Sequence, residues 1–168
     1  MRVMSRAALV LAAIAVPAAL SAQVSLGVAG GLSMPTGDAS DLVKSGYNVT
    51  VSLGIKPPVA PVGFRLDGMW NSLDSKTAGA DALRVLGGNA NVTLSAPMLP
   101  LAYVIAGAGM YNLSAGSGTA ETKVGFNGGL GLNFPLTGLS TFVEARYHHV
   151  ATEGTSFQFV PVTFGIRF

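Results

Sequence analysis

The sequence predicts an all-β fold: an eight-stranded antiparallel up-and-down barrel that spans a membrane. Three observations predict it. Hydrophobicity alternates with a period of two through most of the chain. The composition is 49% hydrophobic and only 11% charged, against about 25% charged for an ordinary soluble domain. After residue 22 no apolar run approaches the roughly 20 residues that a transmembrane helix needs. A chain of this hydrophobicity has one other way to cross lipid, the closed barrel, because closure leaves no backbone edge unpaired.

The chain begins MRVMSRAALVLAAIAVPAALSAQ. Arg2 and Arg6 form a positive start, Ala7 to Leu20 form an apolar stretch too short to span a bilayer, and small residues Ser21 and Ala22 follow. This pattern reads as a secretory signal peptide over residues 1–22, cut after Ala22, with a barrel domain over 23–168. Removing Arg2 and Arg6 from the 10 basic residues leaves 8, against 8 acidic, so the exported part is neutral. It has no basic footprint for nucleic acid. The absence of cysteine excludes disulfides, thiolate metal sites and lipoprotein processing.

The strands follow in order. VSLGVAGGLSM places Val24, Leu26, Val28, Leu32 and Met34 on one face, against Ser25, Gly27, Ala29, Gly31 and Ser33. YNVTVSLGIK opposes Tyr47, Val49, Val51, Leu53 and Ile55 to Asn48, Thr50, Ser52, Gly54 and Lys56. VGFRLDGMWN opposes Phe64, Leu66 and Trp70 to Arg65, Asp67 and Asn71. LRVLGGNANVTL sets Leu86, Ala90, Val92 and Leu94 against Gly87, Asn89, Asn91 and Thr93. LAYVIAGAGMY is apolar or small on both faces; Val104, Ala106, Ala108 and Met110 are assigned outward. KVGFNGGLGLNF opposes Val124, Phe126, Leu130, Leu132 and Phe134 to Asn127 and Asn133. TFVEARYHH opposes Val143, Ala145 and Tyr147 to Glu144, Arg146 and His148. The closing FVPVTFGIRF puts Val160, Val162, Phe164, Ile166 and Phe168 opposite Thr163, Gly165 and Arg167. Each strand is near the roughly 9–11 residues that a tilted membrane strand needs.

The connections alternate in kind. KPPVAP, SAPMLP and FPLTGLS are short and carry proline. PTGDASDLVKSG, SLDSKTAGADA, NLSAGSGTAET and VATEGT are mostly longer and rich in Gly, Ser, Thr and acidic residues. Short periplasmic turns alternating with long external loops is the membrane-barrel arrangement, and an even strand number returns both termini to the periplasmic side. The outward aromatics then fall into two girdles, Tyr47, Trp70 and Tyr147 at the loop end and Phe64, Phe134 and Phe168 at the turn end.

The same alternation predicts a small, polar interior. Arg65 and Asp67 come from the third strand, and Glu144 and Arg146 from the seventh, which stands on the opposite wall of an eight-strand ring. Unpaired buried charges are costly, and this set sums to zero. Pairs Arg65–Glu144 and Asp67–Arg146, or a mixed quartet, are expected to bridge the lumen and plug it; the bland alternative is solvation of each charge by lumen water. Pro161 cannot donate a ladder hydrogen bond, so a bulge or a locally opened pair is expected around it. Arg84 lies on the apolar face near the loop end, where it can snorkel toward lipopolysaccharide phosphates.

Catalytic and metal motifs are weak. His148 and His149 are adjacent, so on a strand they point to opposite faces and cannot share a metal. The glycine runs GAG at 107–109 and GGLG at 128–131 precede no helix; they reduce bulk in a narrow lumen. Asp38, Asp41, Asp74, Asp81, Glu121 and Glu153 form an acidic loop rim that keeps loops soluble or binds divalent cations. No catalytic set, metal site or cofactor is expected.

The eight alternating strands, the run YVIAGAGMY and the closing FVPVTFGIRF resemble the small eight-stranded outer-membrane β-barrel family, of the OmpA-barrel and OmpX type. The resemblance implies location in the bacterial outer membrane. It also implies that Val162, Phe164, Ile166 and Phe168 form the signal read by the barrel-assembly machinery. The expected function is structural or surface-interactive through four external loops, non-catalytic, in a monomer contacting outer-membrane lipids and lipopolysaccharide. No domain is expected after the last strand. The alternatives are a lipid A-modifying barrel enzyme, a small-solute pore, and a soluble lipocalin-type barrel with the two faces exchanged.

Overall fold

The computed structural model describes residues 23–57, 60–95, 98–116, 118–152 and 156–168. The segment assigned as a signal peptide, and Glu153 of the acidic rim, lie outside the described residues. Eight strands alternate up and down: β1 (Gln23–Thr36), β2 (Val43–Lys56), β3 (Val62–Ser75), β4 (Leu83–Ser95), β5 (Ala102–Ala115), β6 (Glu121–Leu136), β7 (Leu139–Ala151) and β8 (Ser156–Arg167). One helical turn, α1 (Ala39–Leu42), sits between β1 and β2. Every strand pairs antiparallel with its neighbours, and β8 pairs with β1 from Gly27↔Arg167 to Thr36↔Gln158. The last residue completes the seam: the Phe168 amide donates to Leu26 O at 2.8 Å, and the Leu26 amide donates to Phe168 O at 3.1 Å. No strand edge is left over, which is what a bilayer demands.

Burial follows the alternation. Val24, Leu26, Val28, Leu32, Val49, Val51, Leu66, Leu86, Val104, Met110, Val124, Leu130 and Phe164 are exposed on the outer wall, while Asn48, Arg65, Asp67, Asn89, Asn91, Asn127, Glu144 and Arg146 are buried inside. An apolar outside and a polar inside invert the arrangement of a soluble barrel. In water this outer wall would be a severe liability; in hydrocarbon it is the only acceptable surface.

Three features differ from or refine the sequence reading. First, the loops are shorter than expected, because the strands run on. β1, β2, β3 and β5 each span 14 residues and β6 spans 16, beyond the roughly 9–11 that cross the bilayer. The segments PTGDASDLVKSG and SLDSKTAGADA therefore contribute to ladders, and only 37–42 and 76–82 connect them. Polar alternation in these segments looks like loop composition, yet Leu73 at a buried position continues the inward face of β3.

Second, β2 carries a register shift between Val43↔Ser75 and Gly46↔Leu73. A Cβ at Gly46 would lie 1.8 Å from Ser72 O, so only glycine allows this close approach. The shift puts Val43 inside although Tyr47, Val49 and Val51 on the same parity face out. Third, Pro161 pairs with Ser33 of β1, but the β7–β8 ladder lapses between Ala145↔Val162 and His148↔Phe159 and resumes in the same register. The outcome is an opened pair rather than a bulge, as expected where the missing N–H faces one neighbour.

Candidate functional site in the barrel lumen

The inward residues stack in layers along the barrel axis. We call the end where β1 begins and β8 ends proximal, and the opposite end distal.

The central layer is the charged one. Arg65 from β3 donates from Nη2 to Glu144 Oε1 on β7 at 2.8 Å, across the lumen. Arg146 donates from Nη1 to Asp67 Oδ2 at 2.7 Å, across the lumen in the other direction. Each arginine also turns to the carboxylate two residues away on its own strand. Arg65 Nε stands 2.9 Å from Asp67 Oδ1, and Arg146 Nε donates to Glu144 Oε1 at 3.0 Å. Residues i and i+2 share a strand face, so each wall presents a cation and an anion side by side. The four side chains are at least nine-tenths buried and form one alternating ring of charge.

Two further residues complete this layer. Tyr103 of β5 donates its hydroxyl to Glu144 Oε2 at 2.7 Å, and Asn91 of β4 donates to Asp67 Oδ2 at 2.9 Å. The sequence reading placed Asn91 on the inward face but assigned neither residue to the charged layer. Tyr103 lies on the strand whose two faces looked alike, and the only available signal was an aromatic residue on the face opposite Val104 and Ala106. Space for the Tyr103 ring comes from Gly131 of β6, where a Cβ would meet Tyr103 Cζ at 2.3 Å.

The next layer toward the distal end is neutral and polar. Asn48 donates to Asn71 Oδ1 at 2.7 Å. The Tyr111 hydroxyl bonds Asn89 Oδ1 and lies 2.8 Å from His148 Nδ1. One phenol hydrogen serves one acceptor; donation to Asn89 leaves the phenol oxygen to accept from Nδ1–H of His148. That tautomer leaves Nε2 as an unshared lone pair, and Nε2 has no partner among the described residues. The His148 ring stacks on Phe159 at 4.9 Å and 9°. His149 points the other way and stacks on Phe126 of the outer wall at 4.7 Å. The two histidines are thus separated by the barrel wall.

The distal layer corrects the expectation of a uniformly polar lumen. Val43, Met69, Leu73, Val85, Tyr111, Val150, Phe157 and Phe159 form a buried apolar cluster inside the barrel, with Ala39 of α1 packed onto it and Leu83 and Leu113 at its margin. Burial of Val, Leu or Phe side chains in such a cluster contributes about 1.5–3 kcal/mol each. Leu73, Val150 and Phe157 escaped notice because the strands were read as ending short of them, and Val43 because the register shift in β2 hides its parity. Met69, Val85, Tyr111 and Phe159 lie within the strands as read, on a face expected to be polar.

The remaining sites of interest lie on the outer wall. Tyr47, Trp70 and Tyr147 are exposed toward the distal end, and Phe64, Phe134 and Phe168 toward the proximal end. Val162 and Phe164 are exposed on β8, with Ile166 partly so, and Phe168 is exposed just past its end. Among the described residues no cluster of three or more His, Asp or Glu could hold a metal ion.

A closed ring of eight up-and-down strands, apolar outside and polar or packed inside, defines a transmembrane β-barrel of the bacterial outer-membrane class. The chain belongs to the outer membrane protein beta-barrel domain family, whose model matches residues 6–168. Its fold is similar to that of Neisserial surface protein A, with a TM-score of 0.70, 14% identity, and coverage of 87% of this chain and 97% of that one. It is also similar to Ail, the attachment invasion locus protein of Yersinia pestis, with a TM-score of 0.56, 15% identity, and coverage of 86% and 97%. The N-terminal β-barrel domain of Pseudomonas aeruginosa OprF matches with a TM-score of 0.53, 16% identity, and coverage of 88% and 99%. No curated protein matches the chain.

Proposed function

We propose that this outer-membrane barrel is a non-catalytic structural or surface-interaction protein whose lumen is plugged. The observation that carries this reading is the filled interior: an alternating ring of Arg65, Asp67, Glu144 and Arg146 across the middle, then a packed apolar cluster at the distal end. Eight strands leave room for little more than side chains, and here the side chains meet. An ion crossing would have to displace both a paired charge ring and an apolar layer. Planar-bilayer recording of the purified protein tests this: no steady conductance steps are expected, and reproducible steps from the folded barrel would establish the solute-pore alternative instead.

The other roles follow from position. Export uses residues 1–22 as a cleaved signal, and the proximal end faces the periplasm. Val162, Phe164, Ile166 and Phe168 present the alternating outward face that the barrel-assembly machinery reads. The two outward aromatic sets anchor the barrel at the two interfaces, where rings with an apolar body and a polar edge are best placed. Arg84, exposed on the outer wall near the distal end, meets lipopolysaccharide phosphates, and the barrel acts as a monomer. Against the lipid-modifying enzyme stands the placement of the histidines: His148 is sealed inside and His149 is stacked on Phe126.

A further inference from the structure

The proximal mouth opens into a vestibule of about 730 Å³. Its charge is one-sided. Lys56, Arg65 and Arg167 all line it, and no aspartate or glutamate side chain does. Among the described residues Lys56 and Arg167 have no aspartate or glutamate partner. Lys56 Nζ donates to Ser95 Oγ at 2.6 Å, and Arg167 Nη1 reaches Asn133 Oδ1 at 3.4 Å while its guanidinium lies 4.6 Å over the Phe142 ring. Neutral oxygens and a ring face orient these cations without neutralising them. One carboxylate oxygen of Phe168, at the rim, is held by the Leu26 amide.

An independent observation comes from the floor of the vestibule. Arg65 is 5% exposed and spends Nε and Nη2 on the charge ring, yet its Nη1 is buried with no hydrogen-bond partner among the described residues. A buried guanidinium N–H left unpaired costs free energy, and native structures rarely leave one so. The charge ring itself sums to zero, so Lys56 and Arg167 add two positive side-chain charges to the vestibule, and the carboxylate of Phe168 at the rim offsets one of them. The volume far exceeds the roughly 30 Å³ share of one water, so an anion of a few heavy atoms enters with its remaining hydration.

We infer that the proximal vestibule is a binding site for a small multivalent oxyanion of the phosphate type, held by Arg65 Nη1 at the floor and by Lys56 and Arg167 at the sides. Planar guanidinium forks and an ammonium suit tetrahedral oxyanions better than chloride, because each supplies directed, charge-assisted hydrogen bonds. The anion satisfies the orphaned donor and neutralises the mouth in one step.

Calorimetric titration of the protein in zwitterionic-lipid nanodiscs with inorganic phosphate, at fixed low ionic strength, tests the site. Saturable binding is expected. Lys56→Gln and Arg167→Gln should each weaken it about tenfold, the loss of one charge-assisted contact, and Lys44→Gln on the distal side should leave it unchanged. Folding of each variant is checked by the difference in gel mobility between unheated and boiled samples; exposed Lys56 is the variant that keeps the test decisive if Arg167→Gln does not fold. A parallel titration with a short-chain phosphatidic acid separates a free ion from a lipid headgroup. Absence of saturable phosphate binding, equal binding by Lys56→Gln and the parent, or binding of the lipid phosphate alone would overturn the inference.

Discussion

The two halves of the lumen solve the same packing problem by opposite chemistry. The central layer fills the barrel with two arginines and two carboxylates, and the distal layer fills it with Leu73, Val85, Val150 and Phe159. The apolar layer is stable wherever its pieces touch, because hydrophobic burial is non-directional. The charged layer is stable only as a set. A buried ion pair gains little over an apolar replacement, but removal of one member strands the others in a low-dielectric interior. The distal cluster therefore supplies stability, while the charge ring supplies register between β3 and β7 on opposite walls.

Substitutions separate these roles. The largest effect is expected from Glu144→Ala, which leaves Arg65 and Arg146 with Asp67 as their one shared carboxylate and should cost about 3–5 kcal/mol in denaturant unfolding from lipid. In the distal layer, Leu73→Ala should cost about 2–5 kcal/mol, set by the cavity it opens. Its effect should be additive with that of Glu144→Ala, because no hydrogen bond joins the two layers at Leu73. Tyr103→Phe removes one bond to a carboxylate and should cost about 1.5–3 kcal/mol, without loss of the ring itself. The smallest effect is expected outside: Arg84→Leu near the distal interface should move stability by no more than about 1 kcal/mol. A large loss from Arg84→Leu would mean that the outer wall, rather than the lumen, holds the barrel's specificity.

The sequence was most legible where periodicity was strict. From β1 through β8 the parity of Leu26, Val51, Leu66, Val92, Leu130, Val143 and Phe164 assigns the outer wall directly, because lipid imposes one rule on every strand. The four lumen charges were legible because charges on an inward face need partners, and strands three and seven are diametric. The distal cluster was less legible, for two local reasons. The register shift at Gly46 turns Val43 inward, where unbroken alternation from Tyr47, Val49 and Val51 would have turned it outward. Phe157 and Val150 lie beyond the stretches where polar loop composition first appears, although their parity matches Phe159 and His148. Tyr103 and the unpaired Nη1 of Arg65 depend on side-chain reach across the lumen, which spacing along a strand does not encode.

The most direct test of the central claim is a double-mutant cycle on Arg65→Gln and Glu144→Gln, measured by reversible unfolding in lipid vesicles. Cross-lumen pairing predicts a coupling energy of about 1.5 kcal/mol or more, with the double variant more stable than the sum of the two single losses implies. Additivity within about 0.5 kcal/mol would contradict it, and would mean that water, rather than the opposite wall, satisfies each charge.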